Sequence, residues 1–249
     1  IAGYTADKSE IPAVSGVQAK DQDRVETVTY RKDAQKAVIR YVSTNGNRVL
    51  TTDEVTGKSG EAIAYSTTSQ ITEFKKQGYK LVSDEFTAGG AKVYDYDTAR
   101  DQVYTVTLSE RVEPVNPDNP SPQPNTPVNP GQPDSPRWPG TVENLDNKES
   151  VSRTIHYVYE DGSKAKDDVV ETLNFKRWSN VNLVTGHIDF QDWTTNDDTF
   201  DKVVSPTIAG YTADKSEIPA VSGVQAKDQD RVETVTYRKD AQKAVIRYV

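Results

Sequence analysis

The 249-residue sequence contains no cysteine, no methionine and only two histidines. Without cysteine there can be no disulfide framework, thiolate zinc site or thiol nucleophile. Without methionine, even at position 1, the chain reads as an internal stretch of a longer protein. Positive charge is in deficit: 30 Lys and Arg face 38 Asp and Glu, for a formal net charge of −8. That balance excludes a nucleic-acid binder, which needs a basic face to displace counterions from phosphate. Long hydrophobic runs are missing too. No stretch approaches the roughly 18–20 apolar residues of a membrane span, so no membrane insertion is expected here. Nothing at Ile1 reads as a signal peptide, and any secretion signal or anchor is expected outside this stretch.

What is present is a repeat. Residues 1–42, IAGYTADKSEIPAVSGVQAKDQDRVETVTYRKDAQKAVIRYV, recur letter for letter at 208–249. Chance does not produce 42 identities, and ordinary divergence would have scattered substitutions among them. Tandem duplication of a unit 207 residues long is the simplest origin. The alternative is an artificial joining of one segment at both ends.

Ten of the 13 prolines lie between Pro114 and Pro139. Val115 and Val128 are almost the only aliphatic side chains there, so this stretch cannot bury a core. Its prolines fix φ and favour polyproline II, an extended spacer. The P-x-x-P spacing, as at Pro127–Pro130–Pro133–Pro136, also fits a ligand for SH3-type domains. In a repeated acidic chain the spacer is the better reading.

Outside the spacer the chain reads as two modules on one plan. The first opens with a strand at Lys36–Val42, a turn at Asn45-Gly46 and a second strand in RVLTTDEVTG. A helix follows over 69–78, with Ser69 as cap, Ile71 and Phe74 on one face, and Gly78 ending it in the left-handed conformation. Tyr79–Val82 and QVYTVTLSE are the last two strands. The second module repeats the order. It has a strand at Ser152–Tyr159, a turn at Asp161-Gly162, a strand in DVVETLNFKR, a helical or irregular crossover, a Gly210-Tyr211 entry and a closing strand in RVETVTYRK. A hairpin, a crossover and two further strands point to a small mixed sheet with one helix packed on it. The expected divisions are residues 1–33, the C-terminal part of an incomplete second-type module; 34–112, a complete first-type module; 113–148, the spacer; 149–240, a complete second-type module; and 241–249, the first strand of the next module. Residues 1–33 lack a first hairpin. They are expected to be loosely ordered or completed by another chain's complementary segment.

These residues carry a resemblance. The pattern Ile39-Arg40-Tyr41-Val42, Asn45-Gly46, Gly78-Tyr79-Lys80-Leu81-Val82 and Val103-Tyr104-Thr105-Val106-Thr107 resembles the mucin-binding (MucBP) domain. Trp193-Thr194-Thr195-Asn196-Asp197-Asp198-Thr199-Phe200, then Ser205–Tyr211 and Val235-Thr236-Tyr237, is similar to the second domain type of the Mub repeats of lactobacilli. The resemblance implies an α+β, strand-rich fold: tandem ubiquitin-like β-grasp modules in an elongated beads-on-a-string array. It also implies a secreted, cell-wall-anchored adhesin that binds host mucin glycans, with immunoglobulins as a second partner.

A search for chemistry yields little. His156 and His187 are the only histidines, and His156 falls mid-strand, where a structural role is expected. No G-x-S-x-G, H-E-x-x-H, P-loop or G-x-G-x-x-G occurs, so no enzyme and no cofactor is expected. Asp189, Asp192, Asn196, Asp197, Asp198 and Asp201 crowd one stretch. Asp192, Asn196, Asp197 and Asp198 are its weak calcium candidate, set against a solvated acidic loop. Sugars bind by stacking on aromatic rings while carboxylates bond their hydroxyls. The candidates are Tyr94, Asp95 and Tyr96 in the first module, and Trp178, Asp192 and Trp193 in the second. Weak binding at each site, multiplied over copies, is the expected strategy; a spacer projecting a distal binding head, or an immunoglobulin-binding module, are the alternatives.

Overall fold

A computed structural model describes residues 1–247. The chain forms two compact units: Ile1–Glu113 with Gln123–Gly140 and Asn182–His187, and Pro114–Pro122 with Thr141–Val181 and Ile188–Val249.

Unit 1 begins with a two-stranded ribbon, β1 (Tyr4–Ala6) against β2 (Tyr30–Lys32). Its main sheet contains β3 (Ala34–Ser43), β4 (Val49–Lys58), β5 (Tyr79–Asp84) and β6 (Gln102–Glu110) in the order β4-β3-β6-β5. β3 and β6 run parallel at the centre. Hairpin and Gly-Tyr strand flank them, which is the β-grasp arrangement. β3 forms because KAVIRYV is β-branched and aromatic, and because it pairs on both edges. Ala37, Ile39 and Tyr41 alternate inward and are fully buried with Val106 and Leu108 of β6. The helix α1 (Thr68–Lys76) covers that face with Ile71 and Phe74, whose ring lies 5.6 Å from those of Tyr41 and Tyr79. Each such buried apolar side chain contributes about 1.5–3 kcal/mol. The helix starts one residue before the expected cap Ser69. Its N-cap is Thr67, which makes no capping bond; the buried Thr67 hydroxyl donates instead to Asp84 at 2.6 Å. Gly78 does end the helix left-handed, at φ 93°. A side chain there would also strike Leu183.

The second unit holds β8 (Lys148–Tyr159), β9 (Lys164–Lys176), β13 (Tyr211–Ala213) and β15 (Arg231–Lys239), in the order β13-β15-β8-β9. The parallel pair is β15 with β8, running from Arg231 opposite Arg153 to Tyr237 opposite Tyr159. The second, first, last and third strands are thus adjacent in both sheets. The short strands β10 (Ser179–Asn182) and β11 (Ile188–Phe190) pair in the crossover, as do β12 (Val203–Val204) and β14 (Glu217–Ile218). β7 (Val112–Val115) precedes them in the chain. Of the two forms expected for this crossover, helical or irregular, it takes the irregular one. Its apolar residues lack a 3.6-residue stripe, and the face is covered without a helix: Phe200, Val224 and Ala226 are buried against β8 and β9, and Ile218 of β14 against β8 and β15.

The proline-rich stretch is folded, which corrects the extended spacer. Asn125 and Trp138 donate to each other's side of a loop (Asn125 N to Trp138 O, 2.9 Å; Trp138 N to Thr126 O, 2.9 Å), and Val128 N donates to Pro136 O at 2.9 Å. Proline removes donors but not the bonds of the residues between, and Asn125 adopts φ 60° to turn the chain. Gln123–Gly140 consequently belongs to unit 1.

The two copies of the repeat differ. At 34–42 the segment builds β3; its second copy, at 241–247, carries no strand, because β4 and β6 have no counterpart beside it. The last two residues of the expected strand at 241–249, Tyr248 and Val249, lie outside the described residues. Within residues 1–33, β1 pairs β2 in the register that β13 makes with β15, Tyr4 opposite Lys32 as Tyr211 is opposite Lys239.

Candidate functional site

The aromatic candidates divide into two kinds. Tyr94 is 3% exposed and lies in the unit 1 core, so it offers no ring to a ligand. The cause is Gly57 of β4, which leaves room for the ring; a Cβ at Gly57 would come within 2.2 Å of it. Burial pushes the Tyr94 phenol up. Tyr96, two residues on, faces the other way and is 52% exposed. One side of its ring rests on Gly3 and Gly60, both at positive φ. Asp95 is tied down: its N–H donates to Gln102 Oε1 at 3.0 Å, and its carboxylate accepts from Asp97 N at 3.0 Å. Tyr96 alone of this trio presents a ring to solvent.

In unit 2 the end of β9 leads into Arg177 and Trp178. The Arg177 guanidinium lies over two rings, 4.0 Å from the centroid of Phe190 and 4.3 Å from that of Trp193. It also donates to the Asp146 carbonyl at 2.7 Å and carboxylate at 2.9 Å. Lys227 lies 5.4 Å from the Trp193 centroid and pairs with Asp146 at 3.1 Å and Glu149 at 2.5 Å. The Lys227 ammonium holds the Glu149 carboxyl below the usual carboxylate range, and the two carboxylates in turn raise Lys227. Trp193 packs on the core of Val151, Leu173, Phe175, Phe200, Val224 and Ala226. With its ring taken by the core and by cations, Trp193 is a structural residue and not a free platform. Trp178 differs: it is 43% exposed, and its carbonyl, not its ring, is used, accepting from Gln191 N at 2.9 Å.

Beside β9 an open groove of about 380 Å³ is lined by Lys148, Glu149, Asn174, Lys176, Asn196 and Asp197, with Leu173 and Phe175 contributing apolar surface. The loop that forms its far wall is fixed to β9 by reciprocal bonds between Lys176 and Thr194 at 2.8 and 2.9 Å, and by Thr195 Oγ1 donating to Asn174 O at 2.8 Å. Amides, carboxylates and ammonium groups over an apolar floor are the donor and acceptor mixture that sugar hydroxyls and ring faces use. The sequence singles out Asn196 and Asp197 only as calcium candidates, and it gives no sign of Lys148, Asn174 and Lys176. Polar residues that alternate along a strand give no sign, in sequence, of which loop will face them.

The acidic stretch and His156 are engaged in local contacts. The calcium candidates do not converge. Asp197 Oδ1 accepts from Thr199 N at 2.9 Å, Asp198 Oδ1 accepts the Thr199 hydroxyl at 3.0 Å, and Asp192 is exposed. Among the described residues no three His, Cys, Asp or Glu side chains come together to hold a metal. The acidic stretch is a turn-capping loop. His156 lies on β8 with Nδ1 2.9 Å from Asp168 of β9, an exposed cross-strand pair.

Comparison with known proteins gives two family matches. The Muc B2-like domain matches residues 1–34 and 142–241, and the mucin binding domain matches residues 35–110. Among solved structures the chain is similar to the crystal structure of Mub-RV, with 26% identity and a TM-score of 0.66, over 83% of this chain and 100% of that one. It is also similar to the type 2 repeat of the mucus binding protein MUB from Lactobacillus reuteri, with 28% identity and a TM-score of 0.54, over 83% of this chain and 100% of that one. A comparison with curated proteins gives no match.

Proposed function

Because the chain belongs to the Muc B2-like domain family, we propose that it is a non-enzymatic adhesin repeat that holds mucin glycoproteins at the outer surface of a cell. The observation that carries this reading is the pairing of a Muc B2-like domain with a mucin binding domain in a chain that spans the whole length of a Mub repeat. The surface chemistry agrees with it. Trp178 and Tyr96 offer rings to pyranose faces, and the groove along β9 offers amides and carboxylates to hydroxyls. No catalytic step is assigned. His156 is engaged with an exposed carboxylate on the neighbouring strand, and no nucleophile shares that contact. Among the described residues no helix is long and apolar enough to cross a membrane.

A shallow, open groove and isolated rings make for weak binding per copy. Repetition then supplies retention, because the second contact of a tethered pair is intramolecular. In a flow chamber coated with mucin, two fused copies of the chain should be retained at least about tenfold longer than one. Equal, negligible retention of both sinks the reading. A spacer role is favoured by one observation, that Tyr94 and Trp193 are consumed by packing. The same assay separates it, since a pure spacer is not retained at any copy number.

A further inference from the structure

The acidic balance of the chain is reversed at one place in unit 1. There the folded proline-rich loop lies against the C-terminal end of α1 and the start of β5. Between them run two clefts of about 510 and 420 Å³ that share Gln132 and Ser135. Their charged lining is five cations, Lys75, Lys76, Lys80, Arg111 and Arg137, against two carboxylates, Glu113 and Asp134. Over the whole chain 38 carboxylates outnumber 30 cations, so this is a local inversion of charge. Some of it is already used. Arg111 Nε donates to Glu113, and Lys76 pairs with Glu73 at 2.8 Å. Arg137 Nη1 donates to the Asn125 carbonyl at 2.5 Å, a neutral partner that leaves its charge uncancelled. Lys75 and Lys80 line the larger cleft and have no ion pair among the described residues. Lysines in the last turn of a helix offset its negative end, which accounts for Lys75 and Lys76 in part. Lys80 on β5, Arg111 after β6 and Arg137 in the loop lie outside the helix. Like charges gathered from four chain segments repel one another, and an anion seated among them removes that repulsion.

We propose that this cleft binds the sulfate ester of a saccharide, with Lys75 and Lys80 as its principal contacts. The placement of the donors selects the anion. They stand on a helix, a strand, a strand end and a loop, on more than two sides of the space. That suits a tetrahedral oxyanion with three free oxygens, whereas a carboxylate offers two oxygens in one plane. Val112, 51% exposed, and Pro136 add apolar lining on which the carrier of the anion can rest. The anion follows from the cleft; the saccharide as its carrier rests on the glycan-binding reading above.

The test titrates the full chain, by surface plasmon resonance at physiological salt, with chondroitin sulfate and with the same polymer stripped of sulfate. The two polymers share their carboxylates, so the difference between them isolates the ester. The sulfated polymer should bind at least about tenfold tighter. Lys75→Gln/Lys80→Gln should lose at least about tenfold in affinity for it, with the thermal midpoint unchanged, because both side chains are exposed. Lys58→Gln/Lys166→Gln removes the same charge from exposed positions outside the cleft and should bind as the parent chain does. Equal binding of the two polymers, or an equal loss in the two double variants, overturns the proposal. The first result assigns the attraction to carboxylates, the second to overall charge. Failure here is distinguishable from failure of the mucin reading. Tandem copies held on mucin by a chain that ignores sulfate overturn only the site. A chain that binds the sulfated polymer but is not held on mucin overturns only that reading.

Discussion

Arg153 sits mid-strand in β8 with only 1% of its surface exposed. Its Nε donates to Glu171 at 2.7 Å, Nη1 donates to the Pro219 carbonyl at 2.9 Å, Nη2 donates to the Asp201 carbonyl, and the guanidinium lies 5.1 Å from the Phe200 ring centroid. One side chain thus ties the hairpin to two crossover loops, the place a helix fills in unit 1. Removing it leaves two carbonyls and a carboxylate without their partner. Arg153→Ala should cost unit 2 about 3–5 kcal/mol, the range for breaking a buried ion pair, read as a lowered denaturation midpoint for that unit. A destabilisation under about 1 kcal/mol would contradict this role. Asp230 shows the opposite balance, exposed but positioned. The Ser152 backbone N–H holds its carboxyl below the ordinary range. A folded-state value below the unfolded one contributes stability that is complete above the ordinary carboxylate range and is lost as pH falls through the depressed value. Acidification below about pH 4 should therefore weaken unit 2, and Asp230→Asn should flatten that part of the stability-against-pH curve. An unchanged curve would contradict the bond.

At the scale of elements, the strands were legible because alternating β-branched and aromatic residues leave little choice: QVYTVTLSE and RVETVTYRK became β6 and β15 at their expected bounds. The hairpin turns at Asn45-Gly46 and Asp161-Gly162 were legible for a related reason, since Gly46 and Gly162 take φ 69° and 83°. Other features depended on neighbours remote in sequence. Tyr94 and Tyr96 are two residues apart and look alike; only the space left by Gly57 decides that the first is core. Arg153 shares the inward alternation of Val151, Ile155 and Tyr157, but the carbonyls that accept its bonds lie 48 and 66 residues further along the chain. The proline run reads as extended because composition does not show which N–H groups will find carbonyls. The repeat isolates this dependence on context. Identical sequences have identical intrinsic exchange chemistry, so amide exchange followed by NMR should show Val232–Tyr237 protected by orders of magnitude over Val25–Tyr30, where the partner strand β8 is missing. Equal protection in the two copies would contradict the structure.

For the whole molecule, the same plan occurs twice with different fillings: a helix over the sheet in the first unit, loops fastened by Arg153 in the second. Both leave an exposed ring near polar groups, Tyr96 in the first unit and Trp178 in the second. Such a surface suits the weak, repeated binding proposed above, and the net charge of −8 keeps it solvated. In the function we propose, this surface takes mucin through its glycans, with Trp178 as one platform. The most direct measurement is retention of tandem copies on immobilised mucin before and after enzymatic removal of its glycans, beside the same copies carrying Trp178→Ala. Retention should fall at least about tenfold on glycan removal and severalfold in the variant, with the thermal midpoint unchanged. Retention indifferent to the glycans would contradict it.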